Sequence, residues 1–214
     1  MDTRDFLNEI YKGCSDGYLT LTMLPERKTL WFKVSEIEKT SLFAGKYGSK
    51  TNTFFGVGLR KKALKNGFRG SEKDILCVTT LYADIDIKGN AHAQTSLPSN
   101  VDEAIDFLHG LKVKPSIIVN SGNGIHGYWL LDKPFIIETE DDRKHILSIF
   151  KCFGRYVNSE AKKRNWKIDS VYDLARILRV PGTINHKLGT GAKCEVIEND
   201  GKRHDIIDFM QFIH

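Results

Sequence analysis

Two aspartates set two residues apart are the first place where this chain could do chemistry: Asp84 and Asp86, in LYADIDIKG, residues 81 to 89. Leu81, Ala83, Ile85 and Ile87 alternate with Tyr82, Asp84, Asp86 and Lys88, a period of two that predicts a strand with its apolar side chains on one face. Both carboxylates then share the other face, with Cα atoms roughly 6.6 Å apart at a rise of ~3.3 Å per residue. Two negative charges this close need open water or a cation between them. A solvated edge strand and a divalent-metal site both satisfy that need.

A second stretch, SGNGIHGYW from residue 121, joins two apolar runs through glycines that supply the positive φ of a tight turn. Ser121, Gly122 and Gly124 offer a hydroxyl and closely approachable N–H groups to an anion, and His126, on the strand face of Gly124 and Tyr128, could reach the same anion. A third, KIDSVYDLARILRVPGTINHK, supplies Asp169 and Asp173, then Arg176 and Arg179, then Asn185, His186 and Lys187. Carboxylates, an anion-holding turn and basic side chains together are what phosphoryl transfer with divalent ions requires, because Mg²⁺ takes a few carboxylates plus substrate phosphates.

The elements that must position these groups follow from periodicity. A helix is predicted from Thr3, as its cap, to Tyr11, followed by strands at 18–24, 29–34 and 53–60 with a polar, glycine-containing stretch between the last two. A helix is predicted to start in RKKALKNGFR and stop near Gly67. ILCVTTLYADIDIK reads as a central strand, residues 101 to 111 as a helix capped by a Ser99/Asp102 box, and 139 onward as a helix capped by Thr139. A short helix from Ser170, a strand KCEVIE and a last helix HDIIDFMQFI complete the chain. Strands and helices mix without regular βα alternation, which predicts an α+β fold with antiparallel pairing. A smaller N-terminal lobe, 1–75, and a sheet-plus-helices lobe, 76–214, are expected to form one integrated unit.

The 214 residues are 41% hydrophobic and 28% charged, an ordinary globular composition, and no run approaches the ~20 apolar residues of a membrane span. With no apolar leader at the N-terminus, a cytoplasmic protein is expected. The four cysteines, Cys14, Cys77, Cys152 and Cys194, are far apart and read as buried, inert thiols rather than as disulfides or a zinc site. The net charge of +5 is concentrated: Arg60, Lys61, Lys62, Lys65 and Arg69 lie near Phe54, Phe55 and Phe68, and Lys162, Lys163 and Arg164 lie beside Trp166. Basic groups interleaved with aromatics suit phosphates and stacked bases, although each cluster is also compatible with a solvated helix face.

In this order and spacing the three stretches resemble the archaeo-eukaryotic primase superfamily, and within it the primase-polymerases of plasmids, phages and related mobile elements. LYADIDIKG is similar to that family's D-x-D/E motif, SGNGIH to its S-G-x-G-x-H motif, and the third stretch to its hydrophobic-Asp motif with the R-h-P-G-T-x-N-x-K extension. The likeness covers roughly residues 50 to 190. It implies an N-terminal αβ lobe packed on an RNA-recognition-motif-like lobe, joining nucleotides on a DNA template and primer, with (d)NTPs as substrates. It also implies that Asp84, Asp86 and a third aspartate hold two Mg²⁺ or Mn²⁺ ions. Ile168-Asp169 fits the hydrophobic-Asp pattern better than Tyr172-Asp173, so Asp169 is the expected third ligand and Asp173 the alternative, with an ion pair to Arg176 as its structural role. Ser121, Gly122, Gly124, His126, Arg176, Arg179, Asn185 and Lys187 form the expected nucleotide-binding set, and the two basic clusters would grip nucleic acid. No zinc module or helicase is present, which suggests a catalytic domain alone, with further domains or replication proteins as partners. The rival readings are a non-catalytic single-strand binding or replication-initiation module and a metal-dependent nuclease.

Overall fold

The computed structural model describes residues 1–65, 67–89, 96–169, 172–187, 189 and 191–213. Its centre is a nine-stranded sheet whose strands, in spatial order, are β11 (Glu195–Asn199), β6 (Ile117–Asn120), β7 (Gly124–Ile136), β5 (Ile75–Asp86), β4 (Leu59–Arg60), β1 (Tyr18–Leu24), β3 (Asn52–Gly56) and β8 (Ile177–Arg179), with β2 (Lys28–Lys33) on the other edge of β1. Every strand pair in it is antiparallel, so the expected α+β class with a mostly antiparallel sheet is the observed one. A short ribbon of β9 (Ile184–Asn185) and β10 (Ala192–Lys193) lies beside it. The sheet runs unbroken across residue 75, because β4 pairs with the start of β5 while β8 returns to pair with β3.

Helix α1 (Thr3–Ile10) buries Phe6, Leu7 and Ile10, and the Phe6 ring meets Phe55 and Tyr128 edge-on. Its cap is Asp2, which accepts the Asp5 N–H, and Thr3 instead donates its hydroxyl to the Pro181 carbonyl at 2.7 Å. Helix α2 (Ile37–Gly48) occupies the stretch read as polar and irregular. Its buried positions, Thr40, Ala44 and Gly48, are small residues four apart, so a search for large apolar side chains passes over it. Helix α3 (Val101–His109) is capped by Asn100 rather than Ser99, with Glu103 N–H as the donor. Helix α4 (Glu140–Lys163) carries the expected Thr139 cap, reciprocated by Asp142, and sets Phe153 against Trp129 and Phe150 against Tyr82. Helix α5 (Ile207–Met210) is a single turn whose Phe209 covers Phe153.

Two predicted helices are absent among the described residues. Residues 61–65 and 67–70 are irregular, because Arg60 is drawn into the core and Gly67 and Gly70 take positive φ. Tyr172 to Arg176 are irregular too, since the Asp173 N–H and C=O are both held by the Tyr82 hydroxyl, at 3.1 and 2.9 Å, while Ser170 and Val171 lie outside the described residues. Cys77, Cys152 and Cys194 are buried as expected, but half-buried Cys14 places its sulfur 3.7 Å from that of Cys77, a proximity their sequence separation conceals.

Candidate active site

Strands β5 and β7 align so that Asp84 faces His126 and Asp86 faces Gly124. The two motifs thus meet by strand register, and a one-residue slip would turn every one of these side chains to the opposite face. Gly124 is required by this approach: a Cβ there would lie 2.7 Å from the Ile85 carbonyl oxygen. Gly122 holds φ at +90°, and a Cβ on it would come within 2.9 Å of Ala192 and 3.1 Å of Asn185. Two of the turn's amides are already engaged, Ser121 N–H on the Gly124 carbonyl (2.8 Å) and Gly122 N–H on Asn120 Oδ1 (2.8 Å), while the Ser121 hydroxyl donates to the Gly124 carbonyl at 3.0 Å. The glycines therefore serve close backbone packing more than an open nest of N–H groups.

A narrow cavity of about 130 Å³ gathers Asp84, Asp86, Ser121, His126, Arg176, Arg179, Asn185 and Lys187, drawn from all three sequence motifs. Arg176 Nη2 donates to Asp84 Oδ2 at 2.9 Å, and His126 Nε2 stands 3.5 Å from Asp84 Oδ1. Burial opposes the charge on Arg176, but neighbouring Asp84 outweighs it and holds the guanidinium above its ordinary pKa. Burial lowers the His126 pKa, and Arg179 and Arg176 add to this while Asp84 resists it, so the ring is neutral at pH 7. Its Nδ1 lies 3.1 Å from the Tyr128 hydroxyl, which burial keeps protonated. With Tyr128 donating to Nδ1, the ring proton sits on Nε2, facing Asp84 and the cavity.

Two residues complete the cavity's frame, Asn52, which the sequence did not single out, and Phe54, which it placed only beside the basic cluster. Asn52 Oδ1 accepts both Arg179 Nη1 (2.7 Å) and the His186 N–H (2.8 Å), tying the third motif to β3. Phe54, two residues on, lies under the Arg179 guanidinium at 4.7 Å. The i, i+2 placement with Phe54 on one strand face is the signal the sequence carries for Asn52. Asn185 Nδ2 donates to the Ser121 carbonyl (2.8 Å) and its Oδ1 accepts the Lys187 N–H (3.0 Å), so Asn185 ties the second motif to the third.

Neither Asp169 nor Asp173 lines the cavity. Asp169 is exposed and its charge bears on Tyr172, whereas that of Asp173 bears on Tyr82 and Arg176, beside Asp84. The anticipated Asp173–Arg176 ion pair is replaced by Arg176–Asp84. Among the described residues no three His, Cys, Asp or Glu side chains converge on one point. Asp84 and Asp86 nevertheless present hard oxygen donors from one strand face into a cavity edged with cations, a donor set that suits Mg²⁺ or Mn²⁺ shared with substrate phosphates.

The basic clusters divide. Arg60 is fully buried, with its guanidinium on the carbonyls of Gly58 (2.5 Å), Ala175 (3.1 Å) and Arg69 (3.2 Å), and cannot touch nucleic acid. Lys61, Lys62, Lys65 and Arg69 are exposed, as is Phe68. Lys162 is exposed, Lys163 pairs with Glu160 at 2.7 Å, and Arg164 stacks over Phe107 and Trp166.

Among the described residues no helix is long and apolar enough to cross a membrane. No family model matches the chain. A phosphomannomutase of Vibrio cholerae serotype O1 is 38% identical over 58 residues, 26% of this chain and 12% of that protein, too short a stretch to carry over a fold or an activity. Solved structures match along nearly the full length. The AEP domain of the cyanophage S-2L primase-polymerase covers 98% of this chain and 95% of its own, with a TM-score of 0.62 at 14% identity. Primase RepB′ covers 99% of this chain, which spans 63% of that protein, with a TM-score of 0.58 at 10% identity. The catalytic domain of RepB′, solved with initiator DNA, covers 100% of this chain and 96% of its own, with a TM-score of 0.58 at 11% identity. At such identities the likeness is one of fold: the chain shares the architecture of the cyanophage S-2L AEP domain and of the RepB′ catalytic domain.

Proposed function

We propose that the chain is a template-directed nucleotidyltransferase, a DNA primase or DNA polymerase that joins (d)NTPs to a 3′-hydroxyl on a DNA template. One observation carries the reading: Asp84 and Asp86 stand in register with His126 and Gly124 and share a cavity with Arg176, Arg179, Asn185 and Lys187. Carboxylates on one wall and cations on the other suit a triphosphate bridged to the acidic strand. The likeness in fold to primase domains, one of them solved with initiator DNA, supports the same reading.

Asp84 and Asp86 would hold two Mg²⁺ or Mn²⁺ ions, which when bound acidify the attacking hydroxyl and neutralise phosphate charge. His126 donates its Nε2 proton to a phosphate oxygen, and Tyr128 fixes the tautomer that allows this. Arg179, held by Asn52 and Phe54, offers its guanidinium to the leaving pyrophosphate with little reorganisation. Arg176 neutralises Asp84 until substrate arrives and then shares its donors with the phosphates. We assign the third acidic position to Asp173 over Asp169, because the Tyr82 hydroxyl, on the strand face of Asp84, holds the Asp173 backbone, whereas Asp169 is exposed.

The test is incubation of the chain with labelled primer-template, nucleotides and Mg²⁺ or Mn²⁺. A lengthened product supports the proposal, whereas an unchanged or shortened one refutes it and favours a binding module or a nuclease. Asp173→Asn is expected to abolish extension and Asp169→Asn to retain it; the reverse pattern returns the role to Asp169.

A further inference from the structure

A larger cavity, of about 1070 Å³, lies between α4 and the segment that follows it and shares no lining residue with the catalytic cavity. One wall is a single face of α4: Lys151, Arg155, Asn158 and Lys162 fall at helical spacing. Its three cations, all exposed, are strung over ~16 Å at 1.5 Å per residue. The opposite wall carries Trp166, Lys167, Ile168 and Tyr172, aromatic or apolar apart from the Lys167 side chain. Tyr172 is seated where a side chain at Gly154 would overlap its ring, and its hydroxyl accepts Asn158 Nδ2 at 3.3 Å. Among the described residues no carboxylate lines the space. The neighbouring cations Lys163 and Arg164 take other partners, Glu160 and the Phe107 and Trp166 rings.

We propose that this cavity is a second nucleic-acid site, one that holds single-stranded DNA by its phosphates along Lys151, Arg155 and Lys162 and stacks bases on Trp166. A row of charges fits a chain-like polyanion better than a compact anion. An aromatic wall opposite that row is useful only to unpaired bases, because in a duplex their faces are already stacked. Tyr172 of this cavity lies four residues before Arg176 of the catalytic cavity, so one segment of the chain contributes to both. The inference rests on the reading of the chain as one that works on a DNA template.

The experiment is fluorescence anisotropy of a labelled single-stranded oligonucleotide over a salt series, with thermal unfolding as a fold control. Replacing Lys151, Arg155 and Lys162 together by Ala is expected to reduce the slope of log affinity against log salt by about 2, at ~0.7 for each phosphate no longer neutralised. Trp166→Ala is expected to weaken binding about tenfold with the slope retained. Because Arg155 also contacts the Cys152 sulfur at 2.9 Å, the charge reversal Lys151→Glu with Lys162→Glu provides a variant that leaves it in place. Wild-type affinity and slope in both cation variants overturn the proposal, as does a loss confined to duplex DNA. Primer extension is run alongside: a wild type that extends while the variants bind normally removes this site and keeps the proposed function. A wild type that never extends, with variants that lose single-strand binding, does the reverse.

Discussion

Arg60→Ala should damage the fold and leave DNA affinity alone, although in sequence Arg60 opens the most basic stretch of the chain. Its guanidinium donates to three backbone carbonyls, those of Gly58, Ala175 and Arg69, and burial pushes its pKa down to about 10. Truncation leaves up to two buried carbonyls, those of Gly58 and Ala175, unpaired at about 1–3 kcal/mol each, and exposes the part-buried Arg69 carbonyl to water. It also removes a buried cation whose desolvation costs several kcal/mol, which offsets part of that loss. A net destabilisation of about 3 kcal/mol corresponds to a melting temperature lowered by roughly 6–12 °C in a chain of this size. Thermal unfolding by circular dichroism measures it, and anisotropy with labelled DNA well below the transition measures binding. The comparison is the joint replacement of Lys61, Lys62 and Lys65 by Ala, all exposed, which should keep the melting temperature and lower the salt slope by about 2. An Arg60→Ala protein that melts like wild type and binds DNA more weakly would refute the burial argument.

Asp86→Ala is expected to abolish primer extension with the fold intact, and Asp84→Ala to abolish it at some cost in stability because Arg176 loses its ion-pair partner; wild-type-like extension by Asp86→Ala would remove the aspartates from the chemistry. Gly124→Ala forces a Cβ against the Ile85 carbonyl and should cost about 1–3 kcal/mol in urea unfolding while slowing extension, because the β5–β7 register carries Asp86. Thr139→Ala should destabilise by about 1 kcal/mol through the missing α4 cap. The backbone N–H and hydroxyl of Thr139 hold the Asp142 carboxyl below its usual range. The stability this contributes is complete above a pH of about 4 and is lost as pH falls through the folded value. Asp142→Asn should therefore flatten the acid limb of the stability curve below that pH, as urea midpoints between about pH 5 and 3 would register.

Several features were legible because their signals are local. The alternation in LYADIDIKG fixes which face of β5 carries the aspartates, since a strand's period is set by its backbone alone. The turn glycines mark the hairpin between β6 and β7, and Thr139 marks the start of α4 through a hydrogen bond that spans only three residues. The α+β class followed from the order of such elements. Of the residues grouped by their resemblance to the primase motifs, Asp84, Asp86, Ser121, His126, Arg176, Arg179, Asn185 and Lys187 line one cavity, whereas Asp169 does not.

Interactions between distant segments decided the rest. Arg60 and Lys61 are neighbours of like charge, yet one is a core residue and the other is solvated, because carbonyls from residues 58, 69 and 175 converge on the first. Helix α2 is invisible to hydrophobic periodicity because its buried face is small side chains whose fit depends on Thr183, far along the chain. A helical repeat would give Asp173 to Arg176, but the Tyr82 hydroxyl holds that segment out of a helix and the arginine turns to Asp84. Composition, period and turn chemistry therefore determined which elements form and which faces they present. Only the tertiary structure decided which cation is buried, which carboxylate each arginine meets and where the second basic cavity opens, since those outcomes depend on groups that share no local sequence.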